Sequence, residues 1–339
     1  MLVVYGAYGY TGELVARRAV ERGLRPVLAG RDPERVTRLA RALGLPHRVF
    51  SLDDPEAVEG GLAGATAVLH CAGPFVHTFR PMAEACLRAR CHYLDITGEI
   101  SVLEGLFALG PEAERAGVML LPAVGFDVVP TDCLAAHLAR RLPGATRLAL
   151  AFQALGRMSR GTARTMLEGG ASRGGRRTRQ PLVRTIDLGE GPRRGLSLPW
   201  GDVFTAPVST GIEDVAVYAV LPRSMVFAAP ALLAAGPLLR VRAVREAAVS
   251  ALTRGQPGPT VAERAGGRSL VWGEAADAGG RVVRARIRAP EAYAFTALAA
   301  VEIAERVLAG GAGPGFQTPS RAFGPDLVLS VPGVTREDP

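Results

Sequence analysis

The stretch that most limits the possible folds is Val3-Val4-Tyr5-Gly6-Ala7-Tyr8-Gly9-Tyr10-Thr11-Gly12, a short apolar run that breaks at a glycine and resumes as residues of helical period. Gly6 permits a tight turn off a strand, Gly9 lets backbone approach a pyrophosphate, and Gly12 lets a helix pack close to a sheet with its first amides aimed at the anion. The spacing G-x-x-G-x-x-G is one residue looser than the G-x-G-x-x-G fingerprint. In a chain with 41 glycines such a triplet says little alone. Its weight comes from the strand before it, the helix after it and the rhythm that follows.

That rhythm is βα alternation. Apolar runs at about 2–5, 26–30, 47–50, 66–71, 92–96 and 118–121 read as strands of a parallel sheet, with helical segments between them. Leu14, Val15, Ala19 and Val20 mark one face of the first helix, which Gly23 closes; Asp32-Pro33 opens the second as cap and first-turn proline, and Gly44 ends it. After Pro122 the pattern changes to a helix at about 130–141, strand-like runs at 146–153, 215–221, 269–275 and 282–288, and a hydrophobic helix at 292–308. The expected fold class is therefore α/β, with a doubly wound N-terminal domain over 1–125 and a second, α+β domain with a mixed sheet over 126–310. Residues 311–339 are expected as a tail packing back on the first domain. Ser172 to Gly195, rich in Arg and Gly, reads as a mobile lid or a solvated surface loop.

Composition removes several mechanisms. All 40 basic residues are arginine, and neither lysine nor asparagine occurs. Schiff-base chemistry, a P-loop lysine and an amine base are thereby excluded. The formal charge of +8 carries no aromatic interleaving and no nucleic-acid-binding signature, so no nucleic-acid partner is expected. Cys71, Cys86, Cys91 and Cys133 form no C-x-x-C pair, and no metal site is expected. The apolar run at 2–5 leaves no room for a signal peptide, which points to the cytoplasm. Residues 226–239 carry no charge but are too short and too interrupted by Pro230, Gly236 and Pro237 for the ~20 residues of a bilayer span. A buried helix or a subunit contact of a homo-oligomer is expected there, with peripheral membrane contact as the alternative, since Arg240, Arg242 and Arg245 follow.

The second strand ends at Gly30-Arg31-Asp32, where an NAD-specific protein places an acid for the ribose 2′-hydroxyl. Arg31 can instead hold the 2′-phosphate of NADP, with Arg35 one helical turn on adding a second charge. Asp32 reads as the helix cap. Asp53 suits the adenine edge or, equally, the cap of a helix beginning near Pro55. At the end of the fourth strand, Cys71-Ala72-Gly73-Pro74 would present small residues and backbone to the nicotinamide ribose. Cys71 reads as a small buried neighbour of the cofactor rather than a nucleophile, and His70 as structural. Tyr8 and Tyr10 either stack on the cofactor or fill space.

Four ordered blocks carry a family resemblance. Residues 6–12, His70-Cys71-Ala72-Gly73-Pro74-Phe75, His92-Tyr93-Leu94-Asp95-Ile96-Thr97-Gly98-Glu99 and Gly125-Phe126-Asp127-Val128-Val129-Pro130-Thr131-Asp132 resemble the saccharopine dehydrogenase-like oxidoreductases, a family that includes the bacterial trans-acting enoyl reductases. Ser159-Arg160-Gly161-Thr162, Tyr293-Ala294-Phe295-Thr296 and Gly315-Phe316-Gln317-Thr318-Pro319-Ser320 resemble it more loosely. The resemblance implies an NADP-binding Rossmann domain followed by a mixed α/β domain, and it supplies no substrate.

Hydride transfer needs a proton donor beside the nicotinamide, and candidates belong beyond the carboxyl ends of strands. Asp95, Thr97 and Glu99 follow the fifth strand; Asp127, Thr131 and Asp132 follow the sixth. The candidate catalytic acids are Asp127, as acid or polar anchor against a helix cap near Pro130, and Glu99, as acid against a brace for the next helix. Arg157, Arg160 and Arg164 are either anion holders or surface charges. The expectation is an NADP-dependent oxidoreductase, a reductase of a C=C, C=N or C=O bond in a small-molecule or lipid-like substrate. The alternative is a non-catalytic NADP-binding module that associates with lipid or protein through 226–239; a flavoprotein is weaker, since the second strand lacks the usual acid.

Overall fold

The computed structural model describes residues 1–155, 159–163, 180, 182–220, 242–253, 255–311 and 313–339. The chain forms two compact units, Met1–Val129 with Tyr293–Pro332, and Pro130–Ala292 with Gly333–Pro339.

In the first unit the strands are β1 (Leu2–Tyr5), β2 (Val27–Gly30), β3 (His47–Val49), β4 (Ala67–His70), β5 (His92–Asp95) and β6 (Met119–Leu121). With the short strand Gly315–Phe316 they form a sheet of order Gly315–Phe316, β6, β5, β4, β1, β2, β3, parallel at every pairing. β1, β2 and β4 are buried along their whole length, as strands covered on both faces must be. Their uninterrupted apolar runs are the sequence signature of that burial. The helices between them are α1 (Tyr10–Glu21), α2 (Pro33–Leu43), α3 (Pro55–Leu62), α4 (Phe75–Ala89), α5 (Ile100–Ala108) and α6 (Gly110–Ala116). α2 starts where Asp32 accepts the Arg35 amide and stops where Gly44 turns left-handed, at φ +64°.

The second unit's sheet runs in the order Thr335–Glu337, Val282–Pro290, Arg268–Asp277, Ala145–Leu155, Asp214–Val220, Pro192–Ser197, Val183–Asp187. Ala145–Leu155 and Asp214–Val220 pair in parallel and the other neighbours antiparallel, which makes the sheet mixed. Helical residues Leu134 and Leu138 sit so close over Gly273 that a methyl there would lie 2.6 Å from Leu138.

Three expectations need revision. The division at 125 and 310 does not follow the packing. Residues 126–129 and the helix Ala292–Leu308 from Tyr293 onward cluster with the first unit, because Phe295, Ala299, Ala300 and Ile303 need an apolar face to bury against and Phe126 stacks edge-on against Phe295 at 5.8 Å. The tail splits: its residues up to Pro332 belong to the first unit, whereas Thr335–Glu337 adds a strand to the second sheet. Within 172–195 the described part is a β-hairpin of Val183–Asp187 and Pro192–Ser197, turned through Gly189 and Gly191, whose amides Asp187 accepts. Residues 172–179 and 181, Arg157, Arg164 and all of 226–239 lie outside the described residues. Among the described residues, no helix is long and apolar enough to cross a membrane.

Candidate functional site

Parallel strands deliver their carboxyl ends to one edge of the sheet, and in the first unit that edge gathers the glycine loop after β1, the loop after β4, the segment after β5 and the turn after β6. Gly6 has φ +76°, and a methyl on it would lie 2.8 Å from both the Cβ and the backbone nitrogen of Ala72. Only a bare α-carbon lets the loops after β1 and β4 touch. A methyl on Gly12 would lie 2.3 Å from the Gly6 carbonyl, so that glycine likewise allows α1 to start hard against the turn.

The helix N-termini around this edge differ in one chemical respect. α2 has Asp32 on its first-turn amides, α3 has Asp54, and α4 has Glu99, whose two oxygens accept the Phe75 and Val76 amides at 2.8 and 2.9 Å. α1 begins at Gly9, which brings no side-chain oxygen to its first turn. An N-terminus already holding a carboxylate repels a second anion, while one lacking it receives a pyrophosphate on its amides and dipole. The loop of Gly9, Tyr10, Thr11 and Gly12 therefore fits the diphosphate of a dinucleotide.

At the end of β2, Arg31 is exposed, while Arg35 donates to the Tyr8 carbonyl at 3.1 Å and stacks on the Tyr8 ring at 4.5 Å. The same ring also rests on Gly30, where a methyl would lie 2.5 Å from it. Tyr8 is thus a packed spacer between the second strand and Arg35. Tyr10 meets Tyr293 edge-on at 5.2 Å. Asp53 is exposed and accepts from the Ser51 hydroxyl at 3.0 Å. The helix cap foreseen for it is made by Asp54, one residue on, whose Oδ1 accepts the Glu56 and Ala57 amides.

The loop after β4 is held from within. His70 is fully buried; its Nε2 lies 2.9 Å from the Thr78 hydroxyl, which itself donates to the Ala72 carbonyl at 2.8 Å. That chain of donors fixes the proton on Nε2 and leaves Nδ1 a buried lone pair without a partner among the described residues. Burial pushes the imidazole down to about 3, so it is neutral. Burial, with the Asp95 charge adding to it, pushes the Cys71 thiol up to about 12. Such a thiol is no nucleophile. The bond from Gly73 to Pro74 is cis.

Three carboxyl groups follow. Asp95 is fully buried at the tip of β5, accepting the Tyr93 hydroxyl at 2.7 Å and the amides of Thr97 and Ala123 at 3.0 and 2.8 Å. Burial still wins over these bonds and lifts it to about 6. Glu99 faces the start of α4, the helix before it in sequence, rather than bracing the helix that follows. Asp127 lies against Gly98, where a methyl would come 3.1 Å from its Oδ2. Burial, then the neighbouring Glu99 charge, raise Asp127 to about 6. Asp127 sits in the turn before the helix Val129–Arg141, not at the position that directly precedes it.

The site also includes residues that the sequence marked only as part of a loosely familial block. Tyr293 reaches Tyr10, and Thr296 accepts the Phe126 amide on its hydroxyl at 3.0 Å, fixing the turn that carries Asp127. Their signal was the Tyr293-Ala294-Phe295-Thr296 block, 166 residues from Asp127 in sequence and adjacent to its turn in space. Thr131 and Asp132 belong to the second unit, where Asp132 accepts from the Ser209 hydroxyl.

Residues 2–121 match the saccharopine dehydrogenase NADP binding domain. A trans-acting enoyl reductase of Mycobacterium ulcerans is 32% identical over 148 residues, 41% of this chain and 35% of that protein. A probable mitochondrial saccharopine dehydrogenase-like oxidoreductase of Arabidopsis thaliana is 33% identical over 148 residues, 39% of this chain and 33% of that protein. The match thus spans about a third of the length of these relatives. The apo saccharopine dehydrogenase (L-Glu forming) of Saccharomyces cerevisiae shares the fold over 100% of this chain and 99% of its own, with a TM-score of 0.66 at 12% identity. The match of residues 2–121 to the saccharopine dehydrogenase NADP binding domain, with the glycine loop and an α1 start that carries no side-chain cap, supports NADP as the cofactor of the first unit.

Proposed function

We propose that the protein is an NADP(H)-dependent oxidoreductase that reduces a C=C, C=N or C=O bond in a small-molecule or lipid-like substrate. The observation that carries this reading is the placement of Asp127 within the same unit as the NADP loops, with its carboxyl raised to about 6. A carboxyl near neutrality can be protonated before hydride arrives and give that proton up afterwards, which a carboxyl at its ordinary value does poorly. Asp127 is the proposed acid, or the polar anchor beside the reacting atoms. NADP supplies the hydride when bound. The chain's own residues do the rest: α1 amides hold the diphosphate, Arg31 the 2′-phosphate, and Cys71 to Pro74 present a small, unreactive surface to the nicotinamide ribose.

The test begins with binding. Titration with NADPH and NADH, followed by nicotinamide fluorescence, is expected to favour NADPH at least tenfold, about 1.4 kcal/mol, and Arg31→Ala to remove that preference. Substrates with activated double bonds are then screened for NADPH oxidation, with Asp127→Asn expected to lower turnover at unchanged NADPH affinity. Equal turnover by Asp127→Asn removes Asp127 from the chemistry.

A further inference from the structure

Glu99 is the residue whose geometry exceeds what cofactor binding alone requires. Both of its carboxylate oxygens are committed to α4, one to the Phe75 amide and one to the Val76 amide. Its own amide donates to the Thr97 hydroxyl at 3.0 Å, and the Thr97 amide donates to buried Asp95. The carboxylate is thus mounted on the rigid tip of β5 and grips the first two residues after Pro74. Charge-assisted bonds at a helix N-terminus, two on one carboxylate, are the strong and directional kind.

The segment it grips is the loop after β4. That loop is fixed at one end by Thr78, which binds the Ala72 and Pro74 carbonyls, and in the middle by Ala72 resting on Gly6. Gly73 remains exposed between these points. Without Glu99 the Phe75 and Val76 amides lose the carboxylate that accepts them, and the loop keeps its inner anchor but loses its outer one. The adenosine side, built from Arg31, Gly30 and Tyr8, is tied instead to Arg35, which donates to the Tyr8 carbonyl.

We infer that Glu99 is a positioning residue for the nicotinamide half of NADP: by clamping α4 to the tip of β5 it sets the Ala72–Pro74 loop against the nicotinamide ribose, and it leaves the adenosine half untouched. The inference rests on the NADP reading of the first unit and specifies which half of the dinucleotide one residue serves.

The experiment separates the halves. Full-length wild type, Glu99→Ala and Glu99→Gln are titrated with NADPH and with adenosine 2′,5′-bisphosphate, which carries the adenosine side alone, and amide exchange is followed at Phe75 and Val76. Glu99→Ala is expected to weaken NADPH about tenfold or more while adenosine 2′,5′-bisphosphate changes less than twofold, with faster exchange at both amides. Glu99→Gln keeps one acceptor oxygen and is expected to fall between, which serves if the alanine variant folds poorly. Unchanged NADPH affinity in both variants overturns the inference, as does an equal loss for both ligands, since that is collapse of the site rather than placement of one half. Wild type that binds neither ligand overturns the cofactor reading itself, and this inference with it.

Discussion

Replacing Asp95 by Asn isolates the cost of keeping a carboxylate at the buried tip of β5. The native carboxyl titrates at about 6 against 3.8 in the unfolded chain, a difference worth about 3 kcal/mol. The native state therefore holds its proton between those values where the unfolded state has lost it, so this group's contribution to stability is full below pH 3.8 and is lost as pH rises to 6. Asparagine keeps the shape: Oδ1 still accepts the Thr97 and Ala123 amides, and the Tyr93 hydroxyl can turn to accept from the new amide. It does not titrate. Asp95→Asn should thus gain about 3 kcal/mol on wild type between pH 4 and pH 7. Taking the difference cancels groups common to both proteins, including His70, which burial holds at about 3 and whose slope runs the opposite way. Asp95→Ala, which strands three donors, should lie below Asp95→Asn at every pH by about 3 kcal/mol. Both tryptophans, Trp200 and Trp272, are in the second unit, so urea unfolding is best followed by far-UV circular dichroism with hydrogen exchange of residues 92–124. A constant difference between wild type and Asp95→Asn from pH 4 to pH 7 would refute the argument that burial dominates at this position.

Two further outcomes follow from the loops. Gly6→Ala forces a left-handed residue to carry a methyl 2.8 Å from Ala72 backbone, and should cost about 2–4 kcal/mol in urea unfolding and at least tenfold in NADPH affinity; wild-type affinity would mean the two loops need not touch. Cys71, held at about 12, should carry about a thousandfold less thiolate than a free cysteine at neutral pH, so iodoacetamide should leave it unlabelled until the protein is denatured; rapid labelling of native protein at Cys71 would restore it as a nucleophile.

The first six strands and the helix boundaries at Asp32 and Gly44 were legible because a doubly wound unit writes its strands as continuous apolar runs and its caps as local residue types. Asp53 and Asp54 show the limit of that legibility: adjacent identical residues differ only in which one the turn aims at the helix. Glu99 was readable as a candidate acid, but its partners precede it by 24 and 23 residues on another element, a pairing no local pattern encodes. The membership of the helix Ala292–Leu308 was hidden for a similar reason. Its apolar face states that it must be covered and does not state by what.

The connectivity of the two units has a consequence for synthesis and dissection. The chain enters the second unit at Pro130, leaves it at Tyr293 and re-enters at Gly333. The first sheet therefore stays incomplete until Gly315–Phe316 has been made, and the second until Thr335–Glu337 has been made. A cut at a single point releases neither unit on its own. Once synthesised, residues 1–129 form an unfinished first unit, whose apolar face must stay shielded while some 160 residues of another unit, 130–292, are translated.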